Sequence, residues 1–532
     1  MSLSKEKKFN IILGILCLIF FGVYSFITLS IFWPHWSEFH HLIFNWPDAN
    51  ANYFFTQLLA QQHTFFAFEP LNQLTNNLLH ARSVNVVDGH LVPITFLPVI
   101  VIFALFFKLL GSIGLLFLTP LLAALTVYII YRLVYYIFQD LDLAFLVGLL
   151  MLPLAPWLYF ANVVMLPTVL FIFLASLGWL LITKRLTTAD RGKSWWFCLL
   201  GSLFLSLAIV VRPTEMIWLL LIAVFVFYVN RKKIEYQKTI AGFLVFMLIL
   251  FLFLSLNKIV YGGYLSFGYL NLQSGDLPTE FSGSSSWLKT IFIPFGFHPR
   301  LIWYNLCKHF VSLIFFHIIF ALGGILYLIL KDKISKVWRY YFFVTSLVFV
   351  IILFFYGSWD LVDPLVKNYN TISISYVRYF MPLYLFILPL VALLIKAAGR
   401  WKGGYLIVAA LAIFGFKTAF YTAHDGLLKT KETMESYYRQ FEQVSQIAPQ
   451  NAVIISERGD KIFFPYYKVV VWQPNLPIWP EIVKIIDDTP IFFYTSQSDE
   501  ELVVEENKVG VVGLKLVEPV MIENNFRLFQ VK

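Results

Sequence analysis

The chain has 532 residues, of which 59% are hydrophobic and only 13% are charged. Soluble proteins carry about 25% charged residues. The composition therefore excludes a soluble enzyme, a disordered chain and a fibrous protein, and predicts a polytopic membrane protein. The net charge of +9 is attributed to basic loops that face the cytoplasm, and no nucleic-acid partner is predicted.

The first apolar run extends from Phe9 to about Trp33 and follows Lys5, Lys7 and Lys8. It is longer than the core of a signal peptide and lacks a small-residue cleavage site, so it predicts an uncleaved span with a cytoplasmic N-terminus. Ten further spans are predicted, at about 114–137, 143–159, 166–183, 195–211, 213–229, 240–260, 303–330, 340–356, 379–398 and 404–421. The chain is thus expected to have about eleven transmembrane helices.

The apolar run 91–110 does not fit an ordinary crossing. If it crossed the membrane, the basic loops that follow would lie outside, whereas leaving it uncrossed concentrates Lys and Arg in inward loops. Pro93 and Pro98 are typical of a broken or surface-lying helix. We expect 91–110 to lie in the outer interface or to enter the membrane and return. The alternative is a twelfth span paired with a further helix.

This topology places three long segments outside the membrane, at 34–113, 261–302 and 357–378. Residues 1–422 then form the transmembrane domain, and residues 423–532 form an extracytoplasmic domain. Its strands are predicted at about 452–456, 467–472, 490–494, 510–516 and 526–531, and its helices at about 427–447 and 496–506. The fold class is therefore an all-α polytopic membrane protein, with interfacial helices in the first outer loop and a small C-terminal α/β domain.

The first outer loop contains a helical pattern that begins near Asp48. Apolar side chains at 54, 55, 58 and 59 share one helical face, which predicts an amphipathic helix lying on the membrane. A carboxylate held at the membrane surface can accept a proton from a hydroxyl nucleophile. An Asp between a Pro and a helix is also a good N-cap. The pattern leaves both roles open for Asp48, and one residue can fill both.

The same loop continues through His80 and Arg82, two groups that can bind phosphate. The Arg guanidinium offers a fixed fork of donors that matches phosphate oxygens. A solvated loop charge is the alternative role for Arg82.

Two more arginines occupy span ends on the outer side. Ionisable groups at such depth usually have a partner. For Arg212 the ordinary partner is Glu215, three residues on. For Arg378 the ordinary explanation is an interfacial side chain beside Tyr376 and Tyr379.

We expect Arg82, Arg212 and Arg378 to converge in an outward-facing anion pocket at the level of the lipid headgroups. A lipid-linked phosphate would present itself there.

A metal site is weakly indicated at most. His80, Asp88 and His90 have no standard ligand spacing. The three cysteines lie in apolar stretches without metal-type spacing, so neither a disulfide framework nor a cysteine metal site is predicted.

These features carry a resemblance to a known family. A first outer loop with Asp48 ahead of a helix resembles the C-type (GT-C) membrane glycosyltransferases. It is most similar to the group of dolichyl-phosphate-mannose protein mannosyltransferases and aminoarabinose transferases. The Arg-Pro pair at 212–213, the Arg-Tyr-Phe-Met-Pro-Leu-Tyr sequence at 378–384 and the soluble domain after the last span fit the same pattern. The resemblance covers about residues 9–421.

The resemblance implies a reaction class. Such enzymes move a sugar from a polyprenyl-phosphate donor to an acceptor outside the membrane, and the Asp of the first loop is usually assigned as the base. That role falls here to Asp48. Relatives often carry Asp-Glu at this place, where this chain has Ala49 after the Asp.

The main interpretation is an inverting sugar transferase of the cell membrane, acting on an extracytoplasmic protein, lipid or glycan. Asp48 would take the proton, and Arg82, Arg212, Arg378 and His80 would bind the donor phosphate. The partners are the polyprenyl-phosphate sugar, the acceptor and membrane lipid. No cofactor is predicted, and use of a divalent metal is left open. A lipid-linked glycan flippase or other transporter is the alternative, although repeated halves are not evident. A non-catalytic scaffold would leave the long first loop unexplained.

Overall fold

The computed structural model describes residues 4–33, 42–187, 191–268, 295–332, 334–361, 369–398, 402–474 and 476–532. The chain divides into two compact units. The helical unit comprises Met1–Thr28, Leu116–Leu252 and Leu277–Lys429; the mixed unit comprises Leu29–Leu115, Phe253–Asp276 and Thr430–Lys532. Most of the first outer loop thus belongs to the same unit as the C-terminal region. The predicted domain boundary between residues 422 and 423 stays a prediction.

Helices make up most of the described chain. They are Lys5–Phe32, Pro47–Gln62, Leu71–Leu74, Leu97–Phe138, Leu141–Met151, Ala155–Asn162, Pro167–Thr187, Arg191–Val211, Met216–Asn230, Tyr236–Tyr261, Pro299–Leu306, Phe315–Leu330, Lys336–Gly357, Ser375–Tyr379, Met381–Phe386, Leu388–Ala398, Lys402–Tyr421, Leu427–Ser445, Asp460–Phe463, Trp479–Ile482 and Asp499–Val511. Within the described ranges, nine helical segments are long and apolar enough to cross a membrane, or ten if one bent pair counts as a span. The predicted polytopic helical fold is confirmed.

The bent pair replaces the straight span predicted at 143–159. Helix Leu141–Met151 and helix Ala155–Asn162 meet at an angle of 56°. Pro153 and Pro156 lie at the break, where a proline removes a backbone donor and clashes with the preceding turn. The predicted span at 195–211 coincides with the apolar part, Trp195–Val211, of helix Arg191–Val211.

The apolar run 91–110 forms a strand end followed by a helix. The strand His90–Pro93 precedes helix Leu97–Phe138, which is interrupted at Gly111 by a φ of 69° and a ψ of −170°. A positive φ is readily adopted by glycine. The part before Gly111 is shorter than the roughly 20 residues that a crossing needs.

Ion pairs in the helical unit connect segments that the sequence places at the inner side. Lys5 pairs with Asp142 at 2.8 Å, and Arg132 pairs with Glu6 at 2.9 Å. Lys396 also pairs with Asp140, which in turn caps helix Leu141–Met151. The N-terminus and two predicted inward segments, 132–142 and 396–402, therefore lie at one end of this unit.

Glycines allow close helix approach in the same unit. A Cβ on Gly415 would lie 2.0 Å from the carbonyl oxygen of Pro153, and one on Gly324 would lie 2.2 Å from that of Leu390. Small residues at such contacts are typical of helix packing in membranes. Any larger side chain at either position would push two helices apart.

The C-terminal part of the mixed unit is an α/β fold around a five-stranded sheet. We label the strands of the chain β1 (Ala67–Phe68), β2 (Val84–Val87), β3 (His90–Pro93), β4 (Val453–Ser456), β5 (Lys468–Val471), β6 (Ile491–Thr495), β7 (Val520–Met521) and β8 (Arg527–Val531). The sheet order is β5-β4-β6-β8-β7, with β4 parallel to β5 and β6, and β8 antiparallel to β6 and β7.

One predicted strand of this region is only partly formed. Helix Asp499–Val511 takes up the first two residues of 510–516, whereas Lys515 and Leu516 pair with Lys532 and Val531 at the end of the chain. This helix begins with a capping box, in which the side chains of Ser498 and Glu501 each accept a hydrogen bond from the other's backbone amide. The capping box stabilises the first turn of the helix. Gly513, with a φ of 82°, follows its end. Local capping thus outweighs the β propensity of the valines.

The first outer loop packs against the C-terminal sheet. Leu79 forms a β-bridge with Val470 and lies in the same hydrophobic core as β4, β5 and β6. Glu69 pairs with Lys468 at 3.0 Å. Burial raises the pKa of Tyr438 to about 12, and this neutral phenol donates to the carbonyl of Phe32 at 2.9 Å. The loop and the C-terminal region therefore share one core.

Most of the helix predicted to lie on the membrane surface is covered by protein. In helix Pro47–Gln62, polar Asn52 and Thr56 are as buried as apolar Phe55 and Leu58. The burial of this helix therefore does not separate a polar from an apolar face, and its position at the membrane surface stays a prediction.

Candidate functional site

Asp48 lies in the first turn of helix Pro47–Gln62, but it is not the N-cap. The N-cap is Trp46, without a side-chain cap, so the capping role considered for Asp48 is wrong. The Asp48 carboxylate Oδ1 instead accepts a hydrogen bond from the Ser83 hydroxyl at 2.5 Å. The side chain is partly exposed, so the geometry holds a carboxylate in place at the surface of the mixed unit.

Asn50 organises the start of this helix. Its amide group donates to the carbonyls of Phe44 and Trp46 and accepts from the backbone of Phe44. It also donates to the carbonyl of Lys461 at 3.0 Å. This buried asparagine, which the sequence pattern did not single out, ties the turn bearing Asp48 to the C-terminal region.

Arg82 is paired with a buried carboxylate. Its guanidinium contacts Asp460 through Nε and Nη2, the closest approach being 2.6 Å, and its backbone N–H donates to Asp460 Oδ2 at 2.9 Å. Burial works against the charge, but the Asp460 carboxylate outweighs it and leaves the pKa of Arg82 above its ordinary value. About a third of the Arg82 side chain stays exposed. A phosphate would meet only that part.

The histidines of the loop do not gather. A ring nitrogen of His80 lies 3.1 Å from the carbonyl oxygen of Ala81, and His90 packs edge-on to Phe66. Within the described ranges, no three His, Cys, Asp or Glu side chains come together as metal ligands. The described residues therefore provide no such set of ligands for a metal ion.

Arg212 is buried in the helical unit. Its Nη2 lies 2.8 Å from Glu215 Oε1, so the ordinary partner three residues on is the one observed. The guanidinium also lies 5.3 Å from the ring of Phe171 and 5.0 Å from that of Tyr379. Neither terminal nitrogen makes a well-aligned hydrogen bond. Its donors are thus held close to charge and aromatic faces without being saturated.

Glu215 is the centre of this cluster. It is fully buried and accepts hydrogen bonds from the indole of Trp218 and from the Tyr356 hydroxyl at 3.1 Å. Tyr356 in turn stacks on Tyr379 with ring centroids 4.1 Å apart.

Arg378 reaches the same aromatic ring. Its guanidinium lies 5.1 Å from the ring centroid of Tyr379. Two of the sequence-predicted arginines, Arg212 and Arg378, are therefore brought together around Tyr379. Asp48 and Arg82 are brought together in the mixed unit, where Arg82 adjoins the serine that binds Asp48.

Comparison with solved structures supplies the fold. The crystal structure of the Archaeoglobus fulgidus oligosaccharyltransferase, in complex with Zn and sulfate, is similar with a TM-score of 0.51 and 10% sequence identity. The similarity covers 92% of this chain and 69% of that chain. The chain has a GT-C fold.

The GT-C fold confirms the resemblance predicted from the sequence. No family model and no curated protein matches the chain. The GT-C likeness is therefore one of three-dimensional structure, and the Zn and sulfate belong to the archaeal structure.

Proposed function

We propose that the chain is a membrane glycosyltransferase that moves a sugar from a polyprenyl-phosphate donor to an extracytoplasmic acceptor. The GT-C fold supports this class, and the observation that carries the proposal is the Asp48 carboxylate fixed by the Ser83 hydroxyl. A positioned carboxylate is what activation of an acceptor hydroxyl requires.

The reaction is an in-line displacement with inversion. The acceptor oxygen attacks the anomeric carbon of the sugar while the bond to the phosphate oxygen breaks, and Asp48 receives the hydroxyl proton. The polyprenyl phosphate leaves with the electron pair of the broken bond. Cationic donors aimed at the leaving phosphate stabilise the charge that develops there.

We assign donor phosphate binding chiefly to Arg212 and Arg378, which share Tyr379. Two guanidinium groups beside one ring place two positive charges and their forked N–H donors within reach of one phosphate group. The exposed part of Arg82, together with His80, is proposed to contact the donor more weakly, because Asp460 already holds the Nε and Nη2 donors of Arg82.

The direct test is a donor panel. Purified protein is incubated with polyprenyl phosphates that carry different labelled sugars, and release and transfer of the label are measured. Transfer from at least one donor supports the proposal. Energy-independent movement of the lipid-linked sugar from one leaflet of a vesicle membrane to the other, without release of the sugar, would support the flippase alternative. It would contradict the proposed glycosyltransferase.

Arg378→Ala is expected to weaken donor use more than folding. A side chain at a span end adds little stability, whereas a lost charge-assisted phosphate contact costs about 2–4 kcal/mol in the transition state. Steady-state kinetics should show a drop of roughly 10²–10³-fold in kcat/KM, with little change in Tm. Arg339→Ala, an exposed arginine at the start of helix Lys336–Gly357, is the matched control. Full activity of Arg378→Ala would remove it from the phosphate site.

The C-terminus is expected to lie outside the membrane. A reporter that is active only in the cytoplasm should stay inactive when fused after Lys532. The same reporter fused to a chain cut after Lys233, in a predicted inward loop, should be active. Strong activity after Lys532 would overturn the topology of eleven spans.

A further inference from the structure

We propose that Asp460 is a positioning residue for the reaction: it fixes Arg82 and thereby aims the Ser83 hydroxyl at Asp48. The C-terminal α/β region then sets the geometry of the catalytic carboxylate. This inference rests on the proposed function of Asp48.

Asp460 is built to hold residue 82 in one place. Its side chain is 1% exposed. Its carboxylate accepts hydrogen bonds from the Arg82 guanidinium, from Nη2 at 2.6 Å and from Nε at 3.0 Å. It also accepts one from the Arg82 backbone N–H at 2.9 Å. A fork of side-chain donors fixes direction, and the backbone contact fixes the main chain at the residue directly before Ser83.

Ser83 has the conformation of a residue that is held by its surroundings. Its φ is +66°, in the left-handed region that residues other than Gly, Asn and Asp seldom adopt. Its backbone carbonyl accepts a hydrogen bond from the Ile94 N–H at 3.4 Å. Such a backbone persists only where neighbours determine it. Here it turns the hydroxyl towards Asp48.

The segment bearing Asp48 is fastened to the same place. The Asn50 amide donates to the carbonyl of Lys461, the residue directly after Asp460. Both residues belong to helix Asp460–Phe463, which follows strand β4, and Ser456 at the end of that strand accepts from Gly459 N–H at 2.8 Å. One short helix thus holds the two chain segments that supply Asp48 and Ser83.

The Ser83 hydroxyl orients the carboxylate that receives the proton. Its hydrogen bond to Oδ1 fixes the direction in which Asp48 faces the acceptor. Loss of this donor should therefore lower kcat more than it weakens donor binding.

The kinetic test uses full-length protein and the donor that the wild type uses. Ser83→Ala is expected to lower kcat by about 10-fold, with little change in the KM for the donor. Asp460→Asn should lower kcat at least as much. The double variant should be no slower than Asp460→Asn alone, because both substitutions remove the same contact.

Glu69→Gln is the matched control, because Glu69 also joins the first loop to the C-terminal region, through Lys468. It should keep the wild-type kcat. A folded Asp460→Asn variant with wild-type kcat would overturn the inference, as would effects of Ser83→Ala and Asp460→Asn that multiply. If Asp460→Asn does not fold, an unchanged kcat in Ser83→Ala overturns it.

Hydrogen exchange separates this inference from the proposed function. In Asp460→Asn, the amides of residues 81–84 should exchange faster than in Glu69→Gln, whether or not sugar is transferred. Equal exchange in the two variants would sink the positioning role. A wild-type protein that uses no lipid-linked donor would sink the proposed function instead.

Discussion

Asp48→Asn is expected to lower sugar transfer by roughly 10²–10⁴-fold, the usual contribution of a positioned general base. The amide of Asn has no basicity, but its oxygen can still accept from the Ser83 hydroxyl, so the local structure should be kept. Because Asp48 does not cap its helix, no capping energy is lost. The measurement is single-turnover transfer with saturating donor, alongside Tm and donor binding.

Asp88→Asn is the matched control for this substitution. Asp88 lies in the same loop, is exposed and has a φ of 50°, which Asn tolerates. It should behave as the wild type does. Wild-type turnover in Asp48→Asn would exclude Asp48 from the chemistry, and the GT-C fold would then be the main support for an enzyme.

Glu215→Gln is expected to destabilise the protein by about 3–5 kcal/mol, the cost of leaving one partner of a buried ion pair alone. Gln keeps the shape of Glu215 and can still accept from Tyr356, so the loss comes from the charge. Arg212 is 4% exposed and would have no carboxylate beside it. Thermal unfolding in detergent should show a clearly lower Tm.

Glu435→Gln provides the comparison for an exposed pair. Glu435 pairs with Lys431 at 3.8 Å, and the two side chains are 37% and 42% exposed. Exposed pairs contribute about 0–1 kcal/mol, so this variant should unfold close to the wild type. Equal Tm values for the two variants would show that the charge of Glu215 does not support the fold.

The parts of the fold that follow from local pattern were predictable. Long apolar runs identified the helices, and short runs rich in β-branched and aromatic residues identified strands β4, β5, β6 and β8. The errors arise where one local signal overrules another. Pro153 breaks the apolar span at 143–159, and the capping box at Ser498 extends a helix into the valines of 510–516.

The site was predictable only where its partners are close in sequence. Glu215 follows Arg212 by three residues, and it is the partner observed. Asp460 and Arg82 are 378 residues apart, and no local signature links them. Ser83 has an ordinary side chain whose role comes from an unusual backbone conformation, which a single sequence does not reveal.

The shared core of the first loop and the C-terminal sheet constrains the order in which the protein folds. Leu79 packs in a core completed by β6 and β8, near the end of the chain. Residues 42–93 leave the ribosome long before those strands exist, and contacts of such long sequence separation form late. The loop therefore remains without its packing partners while the ribosome synthesises the intervening helices. Chains stalled before residue 453 should accordingly expose the loop to protease, and completed chains should protect it.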